Sequence, residues 1–80
     1  MSLSLRIVSP EKVEFVGTVD RFVVPGASGE FEILPNHAPI ISTLNSGRIA
    51  FFDSEGEHEV KAMGGFVEVQ KNSVNVCVEL

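Results

Sequence analysis

The last segment of the chain, SVNVCVEL at residues 73–80, alternates between polar and apolar residues. The apolar positions of this pattern are Val74, Val76, Val78 and Leu80. The polar positions are Ser73, Asn75, Cys77 and Glu79. Side chains of a β-strand point alternately to its two faces, so this period of two predicts a strand with one buried face. Residues 3–7, LSLRI, show the same alternation, and we expect a second half-buried strand there.

Glycine and proline recur so often between these two segments that no helix of ordinary length fits. Short runs rich in β-branched and aromatic residues lie between them, at intervals of about eight to ten residues. We therefore predict an all-β fold: a single antiparallel β-sandwich or flattened barrel of about nine to ten short strands, forming one domain over residues 1–80. The tripeptide at residues 45–47, Asn-Ser-Gly, is expected to close a hairpin.

The composition excludes several functional classes. Six basic and eleven acidic residues give a net charge of −5, and the basic residues are scattered, so we expect no nucleic-acid binding. One cysteine, Cys77, allows no internal disulfide, and no cysteine and histidine spacing indicates a zinc site. The first residues carry no targeting signal, which favours a cytoplasmic protein. A domain this small buries a limited core, so a partner surface is a reasonable expectation.

Two segments that do not alternate, residues 25–30 and 35–39, are the candidate functional loops. The first lacks the Gly-Lys-Ser/Thr of a phosphate-binding loop. In the second, His37 could act as a base oriented by Glu30 or Glu32, or it could simply hold the loop through hydrogen bonds. No serine or cysteine nucleophile stands in a strained turn. His58 lies between two glutamates and is expected to face solvent. The residues alone therefore predict a small, non-enzymatic β domain that contacts a partner through its Gly/Pro-rich end.

The central stretch, VPGASGEFEILPNHAPIISTL at residues 24–44, resembles the signature of the epsilon subunit of F-type ATP synthases. The usual form of that signature is a Pro-Gly loop, Gly-Glu, an Ile/Leu-Leu/Tyr-Pro, Gly-His-Ala-Pro and Leu-Leu-Thr. Three flanking pieces are also similar to the family and fall in the family's order: LRIVSPE at 5–11, SGRI at 46–49 and GGFVEV at 64–69. The resemblance therefore covers the whole chain.

The resemblance implies a non-catalytic subunit without a cofactor, located in the rotating central stalk. The family's sandwich packs against the gamma subunit and rests on the polar loops of the membrane-embedded c-ring, coupling proton translocation to ATP synthesis. It implies an apolar patch on one sandwich face for gamma, and a c-ring contact that maps onto Glu30, His37, Asn36 and Ser28. The chain would then be a peripheral protein at the cytoplasmic face of the bacterial plasma membrane. The alternative is a stand-alone β-sandwich binding module, or a small hydrolase using His37 and Glu30.

Two features depart from the family's pattern. Glu32 and Asn36 stand where the family usually has glycine. Asparagine tolerates the left-handed backbone conformation, so we expect the loop after Pro35 to persist. Glu32 predicts altered local geometry if the family's glycine serves a left-handed backbone or close packing at that position. Most members continue into a two-helix C-terminal domain that inhibits ATP hydrolysis, and in some members binds ATP. We expect this chain, which ends at Leu80, to lack that domain and both activities.

Overall fold

A computed structural model describes residues 2–36 and 38–80 of the chain. Nine strands lie within these ranges: β1 (Leu3–Val8), β2 (Val13–Val19), β3 (Arg21–Gly26), β4 (Gly29–Ile33), β5 (Ile40–Leu44), β6 (Gly47–Asp53), β7 (Gly56–Ala62), β8 (Gly64–Gln70) and β9 (Ser73–Glu79). The predicted all-β sandwich is confirmed, and so is the strand count. His37, one of the predicted site residues, lies outside the described residues.

The nine strands form one sheet that folds over on itself into two layers. The first layer has the order β2-β1-β9-β8-β5, and the second has the order β4-β3-β6-β7. The layers join at a corner where Gly26 of β3 pairs with Leu44 of β5. At the opposite side the ring of Phe15 on β2 contacts the ring of Phe51 on β6, with 4.4 Å between their centroids. These two contacts enclose the core between the layers.

The core consists of the inward-facing residues that the alternation predicted. On β1 the side chains of residues 3, 5 and 7 are buried, and on β9 those of residues 74, 76 and 78 are buried. Cys77 is half-buried on the outer side of β9, as expected. The prediction for Leu80 was wrong, because β9 ends at Glu79 and the Leu80 side chain is 55% exposed. The alternation predicts which side chains point inward only for residues within the strand, and Leu80 lies beyond its end.

One strand pair departs from the predicted antiparallel arrangement. The first strand, β1, runs parallel to the last, β9, with Leu5 opposite Val74 and Ile7 opposite Val76. A parallel pair cannot be closed by a tight turn and needs a long crossover connection. Here the whole chain between β1 and β9 supplies that connection. The first and last strands therefore lie side by side within the first layer.

The hairpin predicted at residues 45–47 does not form. β5 pairs with β8, whereas β6 pairs with β3 and β7, so the connection crosses from one layer to the other. The backbone N–H of Asn45 donates to the carbonyl oxygen of Pro25 at 2.8 Å, which ties the crossover to β3.

A second difference concerns residues 25–30, which the sequence predicts to be a loop. Most of them continue β3 and β4, and only Ala27 and Ser28 form the turn.

Candidate functional site

Of the four predicted contact residues, the three that the structure describes lie along one edge of the second layer rather than at one end of the sandwich. Among the described strands, β4 pairs with β3 alone, and it is therefore an edge strand. Ser28 lies in the turn before β4, Glu30 is exposed within it, and Asn36 follows it. At about 3.3 Å per residue, Glu30 and Asn36 are at most about 20 Å apart. We call this surface, Ser28 to Asn36, the β4 edge. A shallow pocket lies beside Glu30 and is also lined by Glu32, Arg21 and Arg48, but Ser28 and Asn36 are not part of its lining.

The turn that carries Ser28 is held against the crossover between β5 and β6. The backbone N–H of Ala27 donates to the carbonyl oxygen of Thr43 at 3.2 Å. The side-chain amide of Asn45 lies 3.4 Å from the carbonyl oxygens of Gly26 and Ala27. These bonds fix one end of the β4 edge to the corner where the two layers join.

The loop that carries Asn36 is held at the other end of the β4 edge. Asn36 has a φ of 66°, so the expectation that asparagine would take the left-handed conformation here is confirmed. Its backbone N–H donates to the side-chain oxygen of Asn72 at 2.6 Å, and the side-chain amide of Asn72 donates to the side-chain oxygen of Asn36 at 3.2 Å. We call this reciprocal pair the asparagine clasp.

Glu32 causes no backbone strain in β4. Among the described residues, positive φ values outside glycine occur only at Asn36 and Lys71. The Glu32 side chain points outward and accepts a hydrogen bond from the Arg21 guanidinium at 2.6 Å. The same guanidinium lies 4.0 Å from the centre of the Phe52 ring. Glu32 therefore does not have a left-handed backbone, and it is an ordinary strand residue with a cross-strand ion pair to Arg21.

A second candidate surface lies on the outer face of the first layer. Strand register aligns residues from five strands in one row: Val13, Val8, Cys77, Phe66 and Thr43. Phe66 is 47% exposed and Val13 is 49% exposed. We call this set, which is apolar except for Thr43, the outer apolar row. Sequence reasoning placed Cys77 on this face but missed the row, because each strand contributes only one residue and the order of the strands brings the residues together.

His58 was predicted to face solvent but is half-buried, because its side chain lies on the core side of β7 and is 38% exposed. Its ring stacks on Phe51, with 5.2 Å between centroids, and its Nε2 lies 3.0 Å from Oδ1 of Asp53. The pattern that could have revealed this is the alternation of residues 58, 60 and 62, which face inward together. Cys77 lies on the outer face of the other layer, so His58 and Cys77 are not close enough to form a joint site.

The turn between β6 and β7 groups Asp53, Glu55 and His58, whose potential metal-ligand atoms lie within 4.8 Å of one another. Their hydrogen bonds account for this grouping. Oδ1 of Asp53 accepts the backbone N–H of Glu55 at 2.8 Å as well as facing His58. The backbone bond from Glu55, followed by the bond with His58, holds the pKa of Asp53 below its ordinary value of 3.8. Both effects favour the ionised carboxylate.

We expect Asp53→Asn to reduce the loss of stability in acid. A lowered pKa in the folded state means that ionised Asp53 contributes stability above pH 3.8, and that this contribution disappears as the pH falls through the lowered pKa. Melting temperatures measured by circular dichroism between about pH 2 and 7 should fall less steeply for the variant. Glu55→Gln, which leaves these bonds in place, is the control. Equal acid slopes for wild type and Asp53→Asn would contradict the assignment.

Comparison with known proteins shows which family this chain resembles along nearly its whole length. A family model described as the beta-sandwich domain of the ATP synthase delta/epsilon chain matches residues 2–80. A curated relative, the ATP synthase epsilon chain of Leptospira borgpetersenii, is 42% identical over 77 residues. That match covers 96% of this chain and 61% of the relative, so the chain spans about three fifths of that relative's length.

Two solved structures share the fold at low sequence identity. A chain of the Euglena gracilis mitochondrial ATP synthase, solved as OSCP/F1/c-ring, matches with a TM-score of 0.90 at 18% identity, covering 96% of this chain and 50% of that one. A chain of the Tetrahymena thermophila central stalk/c-ring matches with a TM-score of 0.82 at 14% identity, covering all of this chain and 65% of that one. Within the described ranges of this chain, no helix could span a membrane.

Proposed function

Because the chain belongs to the family of the ATP synthase delta/epsilon chain beta-sandwich domain, we propose that it works in the central stalk of an F-type ATP synthase. It packs there against the gamma subunit and the c-ring and so couples proton translocation to ATP synthesis. The two solved structures that share its fold are named as F1/c-ring and central stalk/c-ring complexes, which supports this placement.

The outer apolar row is the observation that carries the proposal, and we assign it to gamma. Val13 and Phe66 are the row's exposed apolar side chains, and the half-buried Val8 and Cys77 lie between them. Exposed apolar surface that extends over several strands is typical of a protein interface. Phe66 lies between Cys77 and Thr43 in the row and supplies an aromatic side chain, a residue type that is enriched in protein interfaces. The strands that carry the row also bury the core with their other face, so the row is held rigidly for a partner.

The β4 edge is the surface that we assign to the c-ring. Its exposed residues are mainly polar or acidic, among them Ser28, Glu30 and Asn36. Polar groups suit the polar loops that the ring presents. An edge strand also exposes backbone N–H and C=O groups that a partner can bond. His37 remains a proposed member of this contact on the resemblance alone.

We assign neither a catalytic role nor a cofactor to this domain. The alternative hydrolase needs Glu30 to orient His37 inside a pocket, whereas Glu30 is an exposed side chain on an edge strand. We propose that residues 1–80 act as one sandwich domain. Its place is then the cytoplasmic face of the bacterial plasma membrane, where the complex holds it peripherally.

Phe66→Asp should weaken binding to gamma by about 30-fold or more, because a charge would replace the aromatic side chain of the outer apolar row. The fold should persist, since this side chain is 47% exposed. Leu34→Asp is the matched control, because Leu34 is also 47% exposed but lies at the β4 edge. Binding can be measured by calorimetry with purified gamma. Equal binding by wild type and Phe66→Asp, or equal losses in both variants, would remove the row from the gamma interface.

A further inference from the structure

The turn between β8 and β9 is firmly anchored in the first layer, although the resemblance gives it no role. Lys71 has a φ of 56°, and Gln70 pairs with Ser73 across the turn. The carbonyl oxygen of Asn72 accepts the backbone N–H of Ser4 at 2.8 Å, which ties the turn to the start of β1. The Asn72 side chain is therefore presented from a fixed backbone.

At Asn36, the loop after β4 no longer pairs with β3. The last pair between β3 and β4 is Phe22 with Ile33, and β5 begins only at Ile40. The asparagine clasp bonds this segment to the first layer at two points, one on the backbone of Asn36 and one on its side chain. The clasp thus joins the end of the β4 edge to the opposite layer of the sandwich.

We infer that Asn72 is a positioning residue of the β4 edge, which sets the conformation of the loop at Asn36 for contact with the c-ring. The left-handed conformation is one of several that asparagine can adopt, so the two bonds of the asparagine clasp select it at Asn36. A loop already held in its binding conformation loses less entropy on association and binds more tightly. The c-ring part of this inference rests on the proposed function; the positioning part does not.

The positioning role is tested first on the chain alone, by measuring solvent exchange of the Asn36 amide proton by NMR. Asn72→Ala removes the acceptor and should raise that exchange rate about five- to tenfold. Asn72→Asp restores an acceptor and should return the rate close to wild type at neutral pH. Asn75→Ala, the same substitution at an exposed residue of β9, should leave the rate unchanged. If Asn72→Ala fails to fold, Asn72→Ser replaces it, because its shorter side chain cannot reach Asn36.

The second measurement is the affinity of the same variants for purified c-ring. We expect Asn72→Ala to bind about tenfold more weakly, Asn72→Asp to recover most of the loss, and Asn75→Ala to match wild type. Unchanged Asn36 exchange in Asn72→Ala would overturn the inference, and so would faster exchange with unchanged ring affinity. If wild type itself does not bind the ring, the proposed ring contact fails, while the exchange rates still decide whether Asn72 positions the loop.

Discussion

We expect Val76→Asp to leave the chain unfolded at room temperature. Val76 is 1% exposed and lies between Ile7 of β1 and Val67 of β8 in the core of the first layer. A carboxylate there would lose its hydration without a partner, at a cost of at least about 4 kcal/mol. A domain of 80 residues is stabilised by roughly 4 to 12 kcal/mol in total. Far-UV circular dichroism and the dispersion of the NMR spectrum measure the outcome.

The neighbouring position supplies the control for this prediction. Asn75 is exposed on the outer face of β9, so Asn75→Asp changes the charge by the same amount without burying it. This variant should fold and melt close to wild type, since exposed substitutions usually change stability by less than about 0.5 kcal/mol. A Val76→Asp variant that melted like wild type would show that the facing of β9 is assigned wrongly.

Gly65→Ala should destabilise the domain by about 3 kcal/mol or more, because β8 and β9 approach too closely there for a side chain. A Cβ atom at Gly65 would overlap the carbonyl oxygen of Cys77, which belongs to the backbone and cannot rotate away. Gly65 also has a φ of 146°, a conformation that favours glycine. Chemical denaturation of the purified variant would measure the loss.

Gly56→Ala separates the effect of steric overlap from the effect of the unfavourable φ angle. Gly56 has a φ of 114°, but a Cβ atom there meets nothing within 4 Å, so only backbone strain applies. We expect this variant to lose about 1–2 kcal/mol. If Gly65→Ala lost no more than Gly56→Ala, the close approach of β8 to the Cys77 carbonyl would not limit this position.

The parts of the fold that could be predicted are those that local pattern determines. The facing of β1 and β9 follows from side-chain alternation, and the glycine and proline spacing excludes helices from most of the chain. The left-handed conformation of Asn36 was also accessible, because residue type limits which backbone conformations are allowed. These properties depend on a residue and its near neighbours in the chain.

The parts that could not be predicted depend on which strands meet. The tripeptide at 45–47 has the composition of a tight turn, but β3 occupies the place beside β6 that a hairpin would need. The outer apolar row takes one residue from each of five strands, so no segment of sequence contains it. The asparagine clasp joins positions 36 residues apart. Loop closure over such distances is decided by the whole topology and leaves no local signal.

The most direct test of the central claim is a binding measurement between the folded 80-residue chain and purified gamma subunit. We predict a one-to-one complex that survives size-exclusion chromatography and that Phe66→Asp disrupts. A chain that folds, as judged by its NMR spectrum, and yet elutes alone at every gamma concentration tried would contradict the claim that this domain acts by binding the rotor.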